Sequence, residues 1–512
     1  MKDIKDLSLY SSLSRKILIC PEIPDLSFVL NILLRVIAYM KYDYHIIILG
    51  AGSAGLVVAS GAAQFGAKVA LIEAEKMGGD CLNTGCVPSK ALIKVAHIAK
   101  TINSASDFGL DAKLESVNLT NIMRRVQKAI KLIEPHDSIR KFEKLGVDVI
   151  IGKGHFLNKH TIMVNGKTIT AGKIIIATGS KPYIPHINGL SEINYFTNNN
   201  IFSLNTLPKH MIILGAGPVG LEIGQSFKYL GSDITIIDKI PHLFPHEDKE
   251  VAPILEQKLI SDEINLKLNS SIIDVQMDNE EIVVTINRNG KLESIHGNIL
   301  LVALGRAPVT EGLDLDKAGV TTDFRGYIET NKYLRTKTKN IYACGDITGH
   351  YHFTSTAGHE AGVVLKNAIF NLGSRIDYST LPWVTYINPE IAHVGYTQSS
   401  AEALGIYRSS VIVNLADNDR AIINSDVGGF LKLNIGKHDR IIGATLVAEN
   451  AGEIISLATL AIKNRLKPSA FINMIFPYPT ESEVFLYAAL ENAITKLKTW
   501  HKKLIKILFL RY

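Results

Sequence analysis

Short, wholly apolar runs that stop at a glycine or an acid punctuate the first half of the chain. Residues 45–49, His-Ile-Ile-Ile-Leu, show no polar alternation, which predicts a parallel strand buried on both faces. Gly50-Ala-Gly52-Ser-Ala-Gly55 follows directly, and the next run, Lys68 to Ile72, ends at Glu73. The order then returns: Met211 to Leu214, Gly215-Ala-Gly217-Pro-Val-Gly220, and a strand from Asp233 to Ile237 ending at Asp238. In both copies the first glycine stands 23 residues before the acid. A strand, a glycine turn and a helix opening on it let the backbone approach a pyrophosphate, while the acid holds a ribose hydroxyl pair. One such glycine motif is a weak signal. Two, with acids at equal spacing, predict two dinucleotide sites.

Composition agrees with a large globular chain. Its 512 residues exceed a single core and predict three or four domains, and 46% apolar with 20% charged residues describes a soluble protein. The cysteines are Cys20, Cys81, Cys86 and Cys344, one close pair and two scattered thiols, a cytosolic redox pattern and no secreted disulfide framework. Nothing near the start reads as a cleavable signal peptide.

The close pair lies in Gly78-Gly-Asp-Cys81-Leu-Asn-Thr-Gly85-Cys86-Val-Pro88-Ser-Lys90. In a regular helix that spacing separates the Cα atoms by roughly 8–9 Å, whereas a disulfide wants less than about 7 Å. If the pair bonds, the backbone must bend, and Gly78, Gly79 and Gly85 supply that freedom. Pro88 is tolerated in a first helical turn, so Cys86 falls near a helix N-terminus, where the dipole favours a thiolate. A redox-active dithiol fits this pattern; two buried thiols or half a metal site is the competing reading. No metal-ligand set is assigned, since metal pairs are usually closer and need further ligands.

With these motifs in hand, the chain resembles the class I pyridine nucleotide-disulfide oxidoreductases, the family of glutathione reductase, lipoamide dehydrogenase and mercuric reductase, from about Tyr42 to about Asn492. Ala177-Thr178-Gly179 and Ala303-Leu304-Gly305-Arg306 resemble the family's crossovers, and Ile341-Tyr-Ala-Cys-Gly345-Asp346 its second flavin motif. Pro382-Trp-Val-Thr through Pro389-Glu390 resembles the start of its interface domain. The resemblance implies an α/β fold with two Rossmann-like domains and a C-terminal α+β dimerisation domain. The FAD-binding domain would span 41–187 and 308–375, the NAD(P)-binding domain 188–307 and the interface domain 376–495, with 1–40 and 496–512 outside the match. FAD would rest on Gly50, Gly52, Gly55, Glu73, Lys90, Thr178, Gly179 and Asp346, and the nicotinamide cofactor on Gly215, Gly217, Gly220, Asp238 and Gly305. An acid at the strand end favours a free 2′-hydroxyl, so NADH is expected ahead of NADPH, although Lys239 weakens that lean. The resemblance further implies that Lys90 lies beside the flavin with Glu222 as its ion-pair partner, that Cys86 faces the flavin in a charge-transfer contact, and that Cys81 is the interchange thiolate.

The acceptor is read from the C-terminal motif. Family members that use disulfides carry His-Pro-Thr-x-x-Glu, reaching the dithiol from the other subunit of a homodimer, and its histidine moves the proton that exchange needs. Here the segment is Phe476-Pro-Tyr478-Pro-Thr480-Glu-Ser-Glu483. Glu483 is kept, but Tyr478 replaces the histidine, and tyrosine is a poor base near neutral pH. The segment is similar to that of mercuric reductases, whose soft metal substrate needs no protonated leaving thiol. A mercuric reductase-like enzyme passing electrons to a thiol-ligated metal ion or similar acceptor is therefore expected. Dihydrolipoyl dehydrogenase is the alternative, with His359 or His393 as substitute base, and a membrane-docked flavin-bearing interaction protein is an alternative of another class. Against the first reading, no cysteine follows Cys344 to hand metal inward.

The ends add one more expectation. Residues 28–40 are apolar but hold Arg35 and are too short to span a bilayer, which takes about 20 residues. Residues 496–512 carry six Lys/Arg and no acid, as much positive charge as the whole chain's net +6. Leu497, Trp500, Leu504 and Ile507 recur at helical spacing, so the tail is a candidate amphipathic helix for an anionic membrane surface. The protein is expected in the cytoplasm, with membrane association through this tail as the variant. With the charge so concentrated and no reader motif, nucleic acid is not an expected partner.

Overall fold

The computed structural model describes residues 42–497 together with Trp500, Lys506 and Phe509. The reading of residues 28–40, and most of the basic stripe in the tail, lie outside the described residues. Among the described residues no helix is long and apolar enough to cross a membrane.

The first apolar run forms β1 (Tyr44–Leu49), followed by helix α1 (Ser53–Gln64) and β2 (Val69–Glu73). Helix α2 (Gly79–Asn83) and helix α3 (Cys86–Asn103) come next, then β3 (Val147–Ile151) and β4 (Lys167–Ile176). The four strands line up in parallel in the order β3-β2-β1-β4, and Ile341–Ala343 joins the far side of β4. The unbroken Ile-Ile-Ile-Leu of β1 is explained by cover on both faces. Ile46 and Ile48 pack with Ala54, Val58 and Ala62 of α1, while Ile47 and Leu49 pack with Phe156 and Ile162 of an antiparallel flap on the other side. Glu73 is the last residue of β2, paired with Ile151, one position further into the strand than the sequence pattern places it.

The design repeats in β5 (His210–Leu214), helix α4 (Pro218–Tyr229), β6 (Asp233–Ile237), β7 (Asn265–Lys267) and β8 (Ile299–Val302), in the parallel order β7-β6-β5-β8. Ile212 and Leu214 meet Val275, Val284 and Ile286 of a three-stranded antiparallel sheet. This second unit lies, in chain order, between β4 and Ile341–Ala343. Two short segments tie the units together, since Ser180–Pro182 pairs antiparallel with Arg306–Pro308.

Helix α5 (Thr354–Leu365) packs on α1. Beyond it, strands 382–385, 390–395, 441–448, 430–436 and 407–414 form, in that order, a five-stranded antiparallel sheet. Helix α6 (Asp419–Asn424), the short turn Glu481–Glu483 and helix α7 (Val484–Thr495) flank it, and Phe485 and Ala488 of α7 pack against Leu431 and Leu433 of the sheet. Several apolar side chains at the edge of this unit are left without cover in the single chain: Ile475 is 98% exposed and Ile423 62%.

Candidate active site

The dithiol is made by a broken helix. α2 ends at Asn83, Thr84 and Gly85 interrupt it, and α3 starts at Cys86 itself. A Cβ on Gly85 would meet the Asp80 carbonyl oxygen at 3.0 Å, so glycine is what allows so tight a break. Cys81 is half-buried, Cys86 exposed, and both are free thiols. The two thiols influence each other's ionisation, and the Thr354 hydroxyl at the start of α5 lies 3.4 Å from Cys86 Sγ. Cys86 is pulled down to about 6, first by Cys81, then by Thr354 and the Lys90 ammonium, against a burial that works the other way. Cys81 is pushed up, first by Cys86 and then by burial. The pair therefore holds its negative charge on Cys86 and its proton on Cys81.

Lys90 follows one turn after Cys86 on α3. Its Nζ donates to Glu222 Oε2 at 2.7 Å and lies 4.5 Å over the Tyr386 ring. Glu222 Oε1 accepts the Tyr386 backbone N–H at 2.9 Å. Glu222 is buried and Lys90 half-exposed, so the carboxylate is the member that depends on its partner.

Asp346 is tied to the dithiol helix by a polar chain. Asp346 Oδ2 accepts from Ser180 Oγ at 2.6 Å, Ser180 Oγ accepts from Arg306 Nε at 2.6 Å, and Arg306 also meets Asp80 Oδ2 at 2.9 Å. Asn198 Nδ2 donates to Asp80 Oδ1 and to the Thr84 carbonyl, bracing the helix break. The crossovers run alongside: Thr178 Oγ1 donates to Val309 O, Gly179 O accepts from Val309 N, and Gly305 O accepts from Tyr183 N.

The two glycine loops are near copies. Gly50 (φ +101°) and Gly215 (φ +110°) are left-handed, and a Cβ on either would fall 2.3 Å from a carbonyl oxygen, that of Ala177 or Ala303. Gly52 and Gly217 open helices α1 and α4, and around Gly217 a Cβ would meet nothing within 4 Å. A Cβ on Gly55 or Gly220 would collide with the carbonyl of Gly50 or Gly215. Glu73 accepts the Ala51 N–H at 2.6 Å, and Asp238 the Ala216 N–H at 2.7 Å. Bare backbone, a helix N-terminus and an acid at the strand end fit a dinucleotide at each loop.

The C-terminal pair lies apart from this cluster. Tyr478 is 72% exposed and donates its hydroxyl to Asp419 Oδ2 at 2.9 Å, which raises its pKa from the ordinary 10. Glu483 is buried and closes a capping box with Thr480, accepting the Thr480 N–H at 3.0 Å. Within one chain no hydrogen bond, ion pair or ring contact joins either residue to Cys81 or Cys86. His359 and His393 do not join it either. His359 bonds the Asp377 carbonyl, and the wholly buried His393 bonds Thr445 and Gly395 and stacks on Trp383. His350 stacks on Tyr378 and His352 on Tyr327.

Thr354 and Ser180 lie outside every motif read from the sequence, whereas Asp80, Tyr386 and Arg306 lie inside quoted motifs without being singled out. The Thr354 contact has a measurable consequence. In the reduced protein, alkylation of Cys86 by iodoacetamide should rise with pH through a midpoint near 6. Thr354→Val should move that midpoint upward by about one pH unit, since a hydrogen bond to a charged group is lost; an unmoved midpoint would mean that the hydroxyl does not hold the thiolate.

Comparison with known proteins gives a consistent picture. Residues 44–361 match the family described as pyridine nucleotide-disulphide oxidoreductase, and residues 381–489 match its dimerisation domain. A mercuric reductase of Staphylococcus aureus is 34% identical over 458 residues, covering 89% of this chain and 84% of that protein. A dihydrolipoyl dehydrogenase of Geobacillus stearothermophilus is 31% identical over 450 residues, 86% of this chain and 95% of the relative. Among solved structures, the HOCl-induced flavoprotein disulfide reductase RclA of Escherichia coli superposes with a TM-score of 0.78 at 26% identity, covering 87% of this chain and 99% of that one. LpdA of Mycobacterium tuberculosis gives 0.80 at 27%, with the same coverage.

Proposed function

The chain belongs to the pyridine nucleotide-disulphide oxidoreductase family and is an NAD(P)H-dependent flavoprotein disulfide oxidoreductase, and on that premise we propose that its electrons leave through Cys81 and Cys86 to a thiol-ligated soft metal ion. Bound FAD would carry the electron pair between nicotinamide and disulfide. Gly50, Gly52, Gly55, Glu73, Thr178, Gly179 and Asp346 hold that cofactor in this reading, and Gly215, Gly217, Gly220, Asp238 and Gly305 hold the nucleotide. Lys90, oriented by Glu222, places a fixed positive charge beside Cys86, so the dithiol keeps a thiolate there. Cys81 is the interchange thiol that meets the acceptor in this reading. The chain has the family's dimerisation domain, and in a homodimer Tyr478 and Glu483 of each protomer complete the other's site.

The observation that carries the choice of acceptor is Tyr478 bonded to Asp419. Its phenol is a weaker acid than free tyrosine and stays protonated near neutral pH. Exchange with an organic disulfide needs a base to take the Cys81 proton and return it to the leaving thiol. Reduction of a soft divalent ion does not. Two thiolates give up two electrons and close the Cys81–Cys86 disulfide, the ion takes both electrons and leaves as the metal, and the displaced proton goes to solvent. Sulfur ligands select such soft ions.

Steady-state assays test this reading. NADH oxidation should be driven by Hg(II) presented as a small-thiol complex, and lipoamide should drive it at least about tenfold more slowly. Dominant lipoamide turnover would instead make the chain a dihydrolipoyl dehydrogenase. The same assay reads the nucleotide. Asp238, held by the Ala216 N–H at 2.7 Å, stands where a 2′-phosphate would be repelled. The kcat/KM for NADH should exceed that for NADPH by about tenfold or more, equivalent to ~1.4 kcal/mol; equal values would place Lys239, not Asp238, in control.

A further inference from the structure

A second cluster of ionisable groups lies behind the segment that carries Tyr478, built from three stretches that are distant in sequence. Asp426 follows α6, Glu449 follows the strand Ile441–Ala448, and Glu481 opens the turn Glu481–Glu483. One carboxylate oxygen from each lies within 4.8 Å of the others. Asp426 Oδ2 accepts the Glu449 backbone N–H at 2.7 Å, which sets these two side by side. Asn424 Nδ2 donates to Glu481 Oε1 at 3.0 Å, which aims the third. The remaining oxygen, Glu481 Oε2, has no hydrogen-bond partner among the described residues, in a side chain only 6% exposed. A buried carboxylate oxygen that nothing satisfies is costly, and it belongs to a side chain grouped with two more carboxylates.

The neighbouring cations do not resolve this. Lys258 stands 2.5 Å from Asp262, and among the described residues neither it nor Lys94 forms an ion pair with Asp426 or Glu449. Desolvation pushes up the half-buried Asp426, and the largely exposed Glu449 is raised by partial desolvation and then by the two other carboxylates. Two occupants would relieve such a cluster: a proton shared between carboxyls, or a cation. A cation is favoured because it can meet an oxygen from all three side chains at once, whereas one proton bridges only two. Ca²⁺ accepts irregular all-oxygen sites, whereas Mg²⁺ demands near-ideal octahedral geometry and dehydrates reluctantly.

The geometry points to a divalent, oxygen-preferring cation bridging Asp426, Glu449 and Glu481, with Ca²⁺ favoured over Mg²⁺ and water completing the shell. This site is separate from the dithiol in place and in chemistry, since it offers only hard oxygen donors. Its role is positional. Asn418 Nδ2 already bonds the Thr480 carbonyl at 3.1 Å, and the ion would add a second tie between the Tyr478–Glu483 segment and the sheet.

The test uses the purified flavoprotein after chelator treatment, titrated calorimetrically with CaCl2 and, separately, MgCl2. One Ca²⁺ per chain is expected, with a Kd on the order of 10⁻⁴–10⁻³ M for a site of three carboxylates. Mg²⁺ should bind at least about tenfold more weakly, and Ca²⁺ should raise the melting temperature by a few degrees. Glu481→Gln, which keeps the acceptor for Asn424, should weaken Ca²⁺ binding at least about tenfold. Glu449 is exposed, so Glu449→Gln gives the same readout in a variant whose folding is not at risk. Two results would overturn the site: no heat and no melting shift up to ~10 mM Ca²⁺, or binding unchanged in both variants. A melting temperature that follows pH but ignores Ca²⁺ would assign the cluster to a shared proton instead.

Discussion

Serine in place of Cys86 should cut turnover with every acceptor by ~10³-fold or more while leaving the protein yellow. Cys86 is the thiolate of the pair and opens α3, with Thr354 at 3.4 Å, whereas the glycine loops that would hold FAD belong to other segments. Removing the sulfur leaves Cys81 without the partner it needs to close a disulfide, so the electron pair has no exit. The long-wavelength charge-transfer absorbance of the two-electron-reduced protein should vanish as well. Cys81→Ser supplies the contrast. It stops turnover to the same degree but keeps the Cys86 thiolate beside Lys90, so the absorbance should remain. Loss of the band in Cys81→Ser and its survival in Cys86→Ser would reverse the two assignments.

The second large effect is a gain. Tyr478→His puts an imidazole, titrating near 6.5, where the phenol cannot act as a base. Matched general bases contribute roughly 10²–10⁴-fold. Because Asp419 stays in place to orient the new ring, lipoamide turnover should rise by at least about tenfold, with a pH dependence near 6.5 that the parent lacks. Hg(II)-driven turnover should change by less than that. An unchanged lipoamide rate would mean that residue 478 does not reach the acceptor, and would remove the ground for reading its chemistry from this position.

What could be read from the sequence was whatever depended on neighbours in the chain. Each glycine loop is a strand, a turn and a helix in succession, so Gly50 to Glu73 and Gly215 to Asp238 displayed their form locally. The helix break was legible in the same way, because Gly85 and Pro88 bracket the position where α3 begins. Contacts that join distant segments left no such trace. Thr354 meets Cys86 across 268 residues, Ser180 meets Asp346 across 166, and the Tyr386 backbone meets Glu222 across 164. The Asp426, Glu449 and Glu481 cluster comes from three unrelated turns. The histidines show the converse. His359 and His393 looked able to replace a base, but residue type alone cannot reveal that one is spent on the Asp377 carbonyl and the other is sealed between Thr445 and Trp383.

The central claim, that the dithiol discharges to a soft metal ion and not to an organic disulfide, is tested most directly by a single half-reaction. The protein is reduced anaerobically with NADH to the two-electron stage, then mixed rapidly with one acceptor at a time. Decay of the charge-transfer absorbance together with release of elemental mercury on mixing with a thiol complex of Hg(II), and persistence of the absorbance with lipoamide, is the predicted result. Rapid decay with lipoamide and none with Hg(II) would contradict the claim.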